Sequence, residues 1–341
     1  MMNNTTKSQV CNVRPGTVIT GKWHKNSYKV MKSLGYGANG VVYLTEAPNG
    51  LVALKISENS MSITSEVNVL KRFSKVQGSA LGPSLLDVDD WLRHDYSKTV
   101  PFYVMEYIKG DNYLSFVEKR GKEWAGILCL QLLTDLDRLH QEGWVFGDLK
   151  PDNLIVSGHP PKIRCIDVGG TTIQGRSIKE FTEFFDRGYW GAGTRKAEPS
   201  YDLFAVAMII INTYYPKRFP RKSNEKGKEQ LKQMILANQD LRKYEKVLLN
   251  AIDGRYQQAS EMRRDLVSAI SRIDKQSGNV GGTNIKAKAK STPPPNRPIQ
   301  KKSTRISKKK KQSSMKGAIE TVLIMVMVLF GYILYIYGQL L

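Results

Sequence analysis

Asp148-Leu149-Lys150-Pro151-Asp152-Asn153 is the stretch on which the reading of this chain turns. A carboxylate, a lysine two residues on and an asparagine five residues on form one compact loop. Aspartate accepts or orients a hydroxyl proton. Lysine neutralises a phosphoryl group in transit, and asparagine ligates a hard cation through its side-chain oxygen. Downstream, Ile163-Arg164-Cys165-Ile166 reads as a strand running into Asp167-Val168-Gly169, whose carboxylate completes a Mg²⁺ site with Asn153.

Upstream, Gly35-Tyr36-Gly37-Ala38-Asn39-Gly40-Val41-Val42 fits G-x-G-x-x-G-x-V. Alone this is compatible with a dinucleotide fingerprint or an ordinary glycine-rich hairpin. A dinucleotide site needs a helix directly afterwards. Here a second strand follows, so the reading is strand, glycine turn, strand, with backbone able to lie close over phosphates. Val52-Ala53-Leu54-Lys55 follows in the next strand, and Glu66 falls on a helical pattern able to anchor the Lys55 ammonium.

The strand-like runs are Tyr28–Leu34, Val41–Glu46, Leu51–Ile56 and Pro101–Tyr107. The helical patterns are Trp124–Gln141, Asp202–Tyr214 and Lys226–Asn238. Strands first and helices later predict an α+β protein of two lobes.

In this order and spacing, the motifs resemble a Hanks-type Ser/Thr protein kinase, as found in bacteria, over roughly residues 28–271. Val104-Met105-Glu106-Tyr107 resembles the hinge, with Met105 as gatekeeper, and Asp202-Leu203-Phe204 resembles the start of the large central helix. The resemblance implies ATP and Mg²⁺ as cofactors. Lys55 would contact the α- and β-phosphates and pair with Glu66, and main-chain groups of Glu106 and Ile108 would hold the adenine edge. Leu34, Gly35, Gly37, Gly40 and Val42 would cover the nucleotide. Asp148 would be the catalytic base, Lys150 would sit at the γ-phosphate, and Asn153 and Asp167 would hold the metal.

The chain departs from the family in three places. The usual H-R-D is Phe146-Gly147-Asp148, which loses the arginine that receives an activation-loop phosphate, while Phe146 can fill the hydrophobic slot. D-F-G becomes Asp167-Val168-Gly169. The A-P-E element survives only as Lys196-Ala197-Glu198-Pro199, with Glu198 expected to pair with Arg255. Thr171, Thr172, Ser177, Thr182 and Thr194 are candidate autophosphorylation sites. Two alternatives stand beside the protein-kinase reading. One is a small-molecule phosphotransferase of the same fold, against which Lys150 argues. The other is a pseudokinase scaffold tethering DNA to a membrane, weakened by the presence of Lys55, Asp148, Asn153 and Asp167 together. None of the four histidines has a metal-site partner at useful spacing.

Composition limits the rest. The 341 residues carry 52 Lys and Arg against 31 acids, a net charge of +21, which calls for an anionic partner. Three scattered cysteines exclude a disulfide-stapled scaffold. Residues 272–316 hold fourteen Lys and Arg against one acid, Asp274, with a run of three prolines, and read as a disordered basic linker. Residues 318–338 lie in an apolar stretch whose single charge is Glu320, long enough to span a bilayer that needs about 20 residues. The N-terminus, residues 1–27, lacks the apolar core of a signal peptide.

The positive-inside rule puts the lysines and the kinase domain in the cytoplasm, so the expectation is a single-pass protein of the bacterial cell membrane acting on cytoplasmic proteins. Lys308, Lys309, Lys310 and Lys311 lie close enough to meet anionic lipid. Lys286, Lys288 and Lys290, with Lys301, Lys302 and Arg305, favour DNA through phosphate neutralisation. Lys217, Arg218, Arg221, Lys222, Lys226, Lys228 and Lys232 offer a second basic face. DNA that gathers several copies would promote self-association and trans-autophosphorylation. Phosphates on Ser303, Thr304, Ser307, Ser313 and Ser314 would release the linker.

Overall fold

The computed structural model describes residues 11–37, 39–74, 81–93 and 98–278. Six strands, β1 (Val18–Thr20), β2 (Ser27–Gly37), β3 (Gly40–Ala47), β4 (Gly50–Ile56), β5 (Leu85–Arg93) and β6 (Lys98–Glu106), form an antiparallel sheet in the order β1-β2-β3-β4-β6-β5. Helix α1 (Ser60–Phe73) packs against it; Asn59 caps the helix by accepting from the Ser62 N–H at 3.1 Å. Ile63, Glu66, Val67, Val69, Leu70 and Phe73 are its buried residues, a spacing of threes and fours that turns one face to the sheet.

The second lobe begins with β7 (Asp111–Asn112), α2 (Tyr113–Arg120), α3 (Trp124–Gln141) and β8 (Trp144–Val145). It continues through β9 (Leu154–Ser157), β10 (Lys162–Cys165) and β11 (Thr172–Ile173). Helices α4 (Pro199–Tyr214), α5 (Gly227–Ala237), α6 (Gln239–Arg242), α7 (Glu245–Ile252) and α8 (Ala259–Gly278) complete it. Helix α4 is buried from Ser200 to Tyr214. Its sequence, PSYDLFAVAMIIINTY, is apolar all round, which suits a helix enclosed by others. Fully burying each of its large aliphatic side chains contributes about 1.5–3 kcal/mol, and this fixed axis is what the catalytic loop rests on.

The two-lobed expectation holds, and α3 has the bounds read from the sequence. Two boundaries move. Strand β1 pairs with β2, and Cys11, Val13 and Ile19 are buried in the sheet's second hydrophobic cluster, so packing starts well before residue 28. Helix α8 runs to Gly278 rather than stopping at 271. Among the described residues no helix is long and apolar enough to cross a membrane. The expected span 318–338 and most of the basic linker lie outside the described residues.

Candidate active site

Lys55 sits on β4 and Glu66 on α1, and both are buried. The Lys55 Nζ to Glu66 Oε2 distance is 2.6 Å. Tyr103 OH donates to the same oxygen at 2.7 Å, and Ser62 Oγ donates to Oε1 at 3.1 Å. The carboxylate is thereby fully engaged, as a buried charge must be. Burial first, then the Glu66 charge, pushes the Tyr103 phenol well above its ordinary value, so it stays a donor. Tyr103 and Ser62 carried no signal in the sequence.

The glycine-rich hairpin joins β2 to β3, paired out to Gly37 and Gly40. Gly40 has φ +124°, and a Cβ there would stand 2.3 Å from the Ile56 carbonyl oxygen, so only glycine fits. A Cβ on Gly35 or Gly37 would meet nothing within 4 Å, so their backbone faces open space. Leu34 is exposed and Val42 half-buried against the main core, the pair flanking this turn. Asn39, at the hairpin tip, donates Nδ2 to Glu180 Oε1 of the segment after Asp167. Burial, then the Asp167 charge, raises the Glu180 carboxyl above its usual range.

The catalytic loop hangs from α4. Asp202, fully buried, accepts from the Phe146 N–H at 2.7 Å and the Gly147 N–H at 2.9 Å. His140 Nε2 lies 2.9 Å from the same carboxylate. Phe146 is buried in the core, as expected of the residue filling the slot. Gly147 takes φ +88°, and a Cβ there would lie 2.6 Å from the Gly170 carbonyl oxygen. The backbone therefore excludes the arginine that the family motif places here.

Asp148 and Lys150 meet at 2.5 Å. Thr182 closes the triangle: its hydroxyl donates to Asp148 Oδ1 at 3.0 Å and accepts from Lys150 Nζ at 3.0 Å. Thr182 figured in the sequence only as one phosphorylation candidate among five; the structure sets it against the expected base. Asn153 donates Nδ2 to the Asp148 carbonyl at 3.1 Å, which leaves its Oδ1 without a partner among the described residues. Asp167 accepts from the Gly169 N–H at 3.0 Å through Oδ1. Val168 is buried in the main cluster, a smaller side chain than the phenylalanine of the family motif.

At the hinge Met105 is buried, and the Glu106 N–H donates to the Ser84 carbonyl at 2.9 Å. The Glu106 carboxylate turns away from the cleft onto Arg164 of β10, bonded at 2.9 Å by both Nη1 and Nη2. Arg164 Nη2 also reaches the Gly82 carbonyl at 2.7 Å. Hydrogen bonding from Arg164 holds the Glu106 carboxyl below the usual carboxylate range. The main chain of Glu106 and Ile108, expected to hold the adenine edge, lies at this hinge next to buried Met105.

The family model described as protein kinase domain matches residues 28–277. The chain belongs to the protein kinase family. It is 52% identical over 344 residues to the serine/threonine-protein kinase YabT of Bacillus subtilis, covering 98% of each chain. It is 29% identical over 268 residues to serine/threonine-protein kinase D of Synechocystis, covering 72% of this chain and 52% of that one. Among solved structures it is similar in fold to vaccinia related kinase 3, with TM-score 0.57 and 16% identity over 79% of this chain and 94% of that one. The Mycobacterium tuberculosis PknI kinase domain matches with TM-score 0.51 and 18% identity over 76% of this chain and the whole of that domain.

The donors present suit the metal the family uses. Asn153 Oδ1 and the Asp167 carboxylate are hard oxygens, too few to satisfy Mg²⁺ alone, and Mg²⁺ ordinarily fills its shell with water and substrate phosphates. Among the described residues no cluster of three or more His, Cys, Asp or Glu offers an all-protein metal cage.

Two expectations about kinase side chains are corrected. Glu198 pairs with Arg187 at 2.6 Å, not with Arg255. Arg187 is buried and also bonds the carbonyls of Thr194 and Lys196 and the Ser200 hydroxyl, while Arg255 lies beside Asp253 at 3.5 Å. Part of the second basic face is neutralised from within: Lys228 and Lys232 pair with Asp253 at 2.9 and 3.2 Å, and Lys222 with Glu225 at 3.3 Å. Lys286, Lys288, Lys290, Lys301, Lys302, Arg305 and Lys308–Lys311 lie outside the described residues.

Proposed function

We propose that this kinase transfers the γ-phosphate of ATP to serine and threonine hydroxyls of cytoplasmic proteins and of itself, with Mg²⁺ as its metal. The observation that carries this reading is the Asp148–Lys150–Thr182 triangle. Thr182 shows what Asp148 and Lys150 do with a hydroxyl: the carboxylate accepts its proton side while the ammonium lies on its oxygen. A substrate hydroxyl in that position is oriented by Asp148 for attack, and Lys150 stands ready for the negative charge of the incoming phosphoryl oxygens. Lys55, held by Glu66, fixes the phosphates behind it, and the glycine hairpin covers them. Asn153 and Asp167 would hold Mg²⁺, which when bound would supply positive charge against the phosphates. The contribution of these residues is positioning and electrostatics.

The same reading extends to the basic residues 286–311 and the apolar residues 318–338. Lysines in number beside a membrane-length segment support a single-pass protein whose linker binds DNA or anionic lipid from the cytoplasmic side. The test uses the full-length chain, ³²P-labelled ATP and phosphoamino-acid analysis, with duplex DNA, anionic vesicles or neither. Labelled phosphoserine or phosphothreonine, stimulated by DNA and losing that stimulation as salt rises, supports the reading. Phosphoryl transfer that ignores both polyanions confines it to the catalytic lobes.

A further inference from the structure

Two guanidiniums stack on aromatic rings within three residues of Thr182, the residue that marks where a hydroxyl meets Asp148. Arg195 lies over the ring of Phe181, one residue before it, at 4.0 Å from the centroid. Arg218 lies over the ring of Phe185, three residues after it, at 5.0 Å. Phe181 is exposed, and the two arginine side chains are 45% and 36% exposed. Both are therefore anchored by their flat faces and reachable at their edges.

Their hydrogen-bonding capacity is only partly used. Arg195 commits Nε and Nη2 to the buried carboxylate of Asp186, at 2.8 and 2.7 Å. Arg218 commits Nη2 to Asp152. The remaining N–H groups have no partner among the described residues. A guanidinium with free, fork-shaped donors is suited to a carboxylate or a phosphate group.

Asp152 bears on which side chains the site admits. It lies two residues after Lys150 and is 55% exposed, so as an open carboxylate it would draw a cationic side chain from an approaching peptide. Arg218 already occupies it. A lysine or arginine beside the acceptor must displace that guanidinium, whereas an anion there finds free donors. Asp152 and Asp186 each face one of the two arginines and Glu183 lies exposed next to Thr182, so what draws an oxyanion here is the set of free guanidinium N–H edges, not a net positive charge.

We propose that this kinase, granted the phosphotransferase reading above, selects acceptor hydroxyls flanked by oxyanions, read by the exposed edges of Arg218 and Arg195. The oxyanion is a carboxylate of Asp or Glu, or the phosphate of a residue already phosphorylated.

The experiment measures kcat/KM of the full-length kinase for three synthetic serine peptides identical except for their flanks: aspartate-flanked, phosphoserine-flanked and arginine-flanked. The aspartate peptide is expected to exceed the arginine peptide by about tenfold or more at 0.15 M salt, the gap narrowing as salt rises. A further gain of about tenfold for phosphoserine identifies phosphate as the preferred source, and parity identifies the carboxylate. Arg218→Gln is expected to shrink the aspartate-to-arginine ratio about three- to tenfold, chiefly through KM, and Arg218→Lys to restore part of it. An arginine peptide used as well as the aspartate peptide overturns the proposal, as does a ratio untouched by Arg218→Gln. If no peptide is labelled while the chain still labels itself, the flank reading fails alone. If the chain does not label itself either, the kinase reading beneath it has failed.

Discussion

Gly147→Ala, set beside Gly143→Ala, separates two costs that the catalytic loop combines. Both glycines have positive φ, +88° and +80°, so an alanine at either costs about 1–2 kcal/mol of backbone strain. At Gly143 a Cβ meets nothing within 4 Å, whereas at Gly147 it lies 2.6 Å from the Gly170 carbonyl oxygen. That oxygen belongs to main chain and cannot swing aside. Relieving the contact moves Gly170 against Asp148, and overpacking of this kind adds about 1–3 kcal/mol. Gly143→Ala should therefore lower Tm by roughly 2–8 °C, and Gly147→Ala by about twice that, at roughly 2–4 °C per kcal/mol for a domain of this size. The activity effects should diverge further. A displacement of Asp148 approaching 1 Å costs about 100-fold in kcat, while Gly143→Ala leaves Asp148 where it is. Thermal unfolding and steady-state phosphotransfer on the two full-length variants read both numbers. Equal Tm losses with equal kcat would refute the idea that Gly170 forces glycine at position 147.

Three further outcomes follow from the geometry. Arg164→Gln should raise KM for ATP by about three- to tenfold with little change in kcat, because the hinge loses its two-bond brace but the catalytic loop does not. The same bond lowers the Glu106 carboxyl pKa, so its stabilising contribution is complete above about pH 4.3 and is lost as pH falls through the folded value. The stability gap between parent and Arg164→Gln should close correspondingly in acid, as read by unfolding at pH 7 and pH 3.5. Arg187→Ala should destabilise by about 2–4 kcal/mol, stranding two carbonyls and a glutamate, whereas Arg255→Ala should stay within about 0.5 kcal/mol.

The parts of the site legible in the sequence are those whose chemistry is local. Asp148, Lys150 and Asn153 fall within one loop, and Lys55 and Glu66 lie on a strand and helix whose patterns are clear, with the pair then found at 2.6 Å. What stayed illegible spans long distances. Asp202 stands 55 residues from the Gly147 N–H it accepts from, and Arg164 stands 58 from Glu106; nothing near either residue announces its partner. Strand β5 carries no clear strand signal because Asp87 and Asp89 break its alternation. The structure explains them: Tyr28 OH donates to Asp87 at 2.6 Å, and the Trp23 and His24 N–H groups donate to Asp89 at 2.9 and 2.7 Å. The pairing of Glu198 went to Arg187 rather than Arg255 because α4 carries Glu198 to the buried guanidinium eleven residues back.

The central claim is that Lys55, Asp148 and their partners form a working phosphotransfer site. The most direct test is ³²P transfer from ATP by the full-length chain, by Asp148→Ala and by Lys55→Ala, each checked for folding by its thermal transition. The account predicts that the parent labels protein serine or threonine while both folded variants lose about 100-fold or more of that rate. Undiminished labelling by either folded variant, or none by the parent, would contradict it.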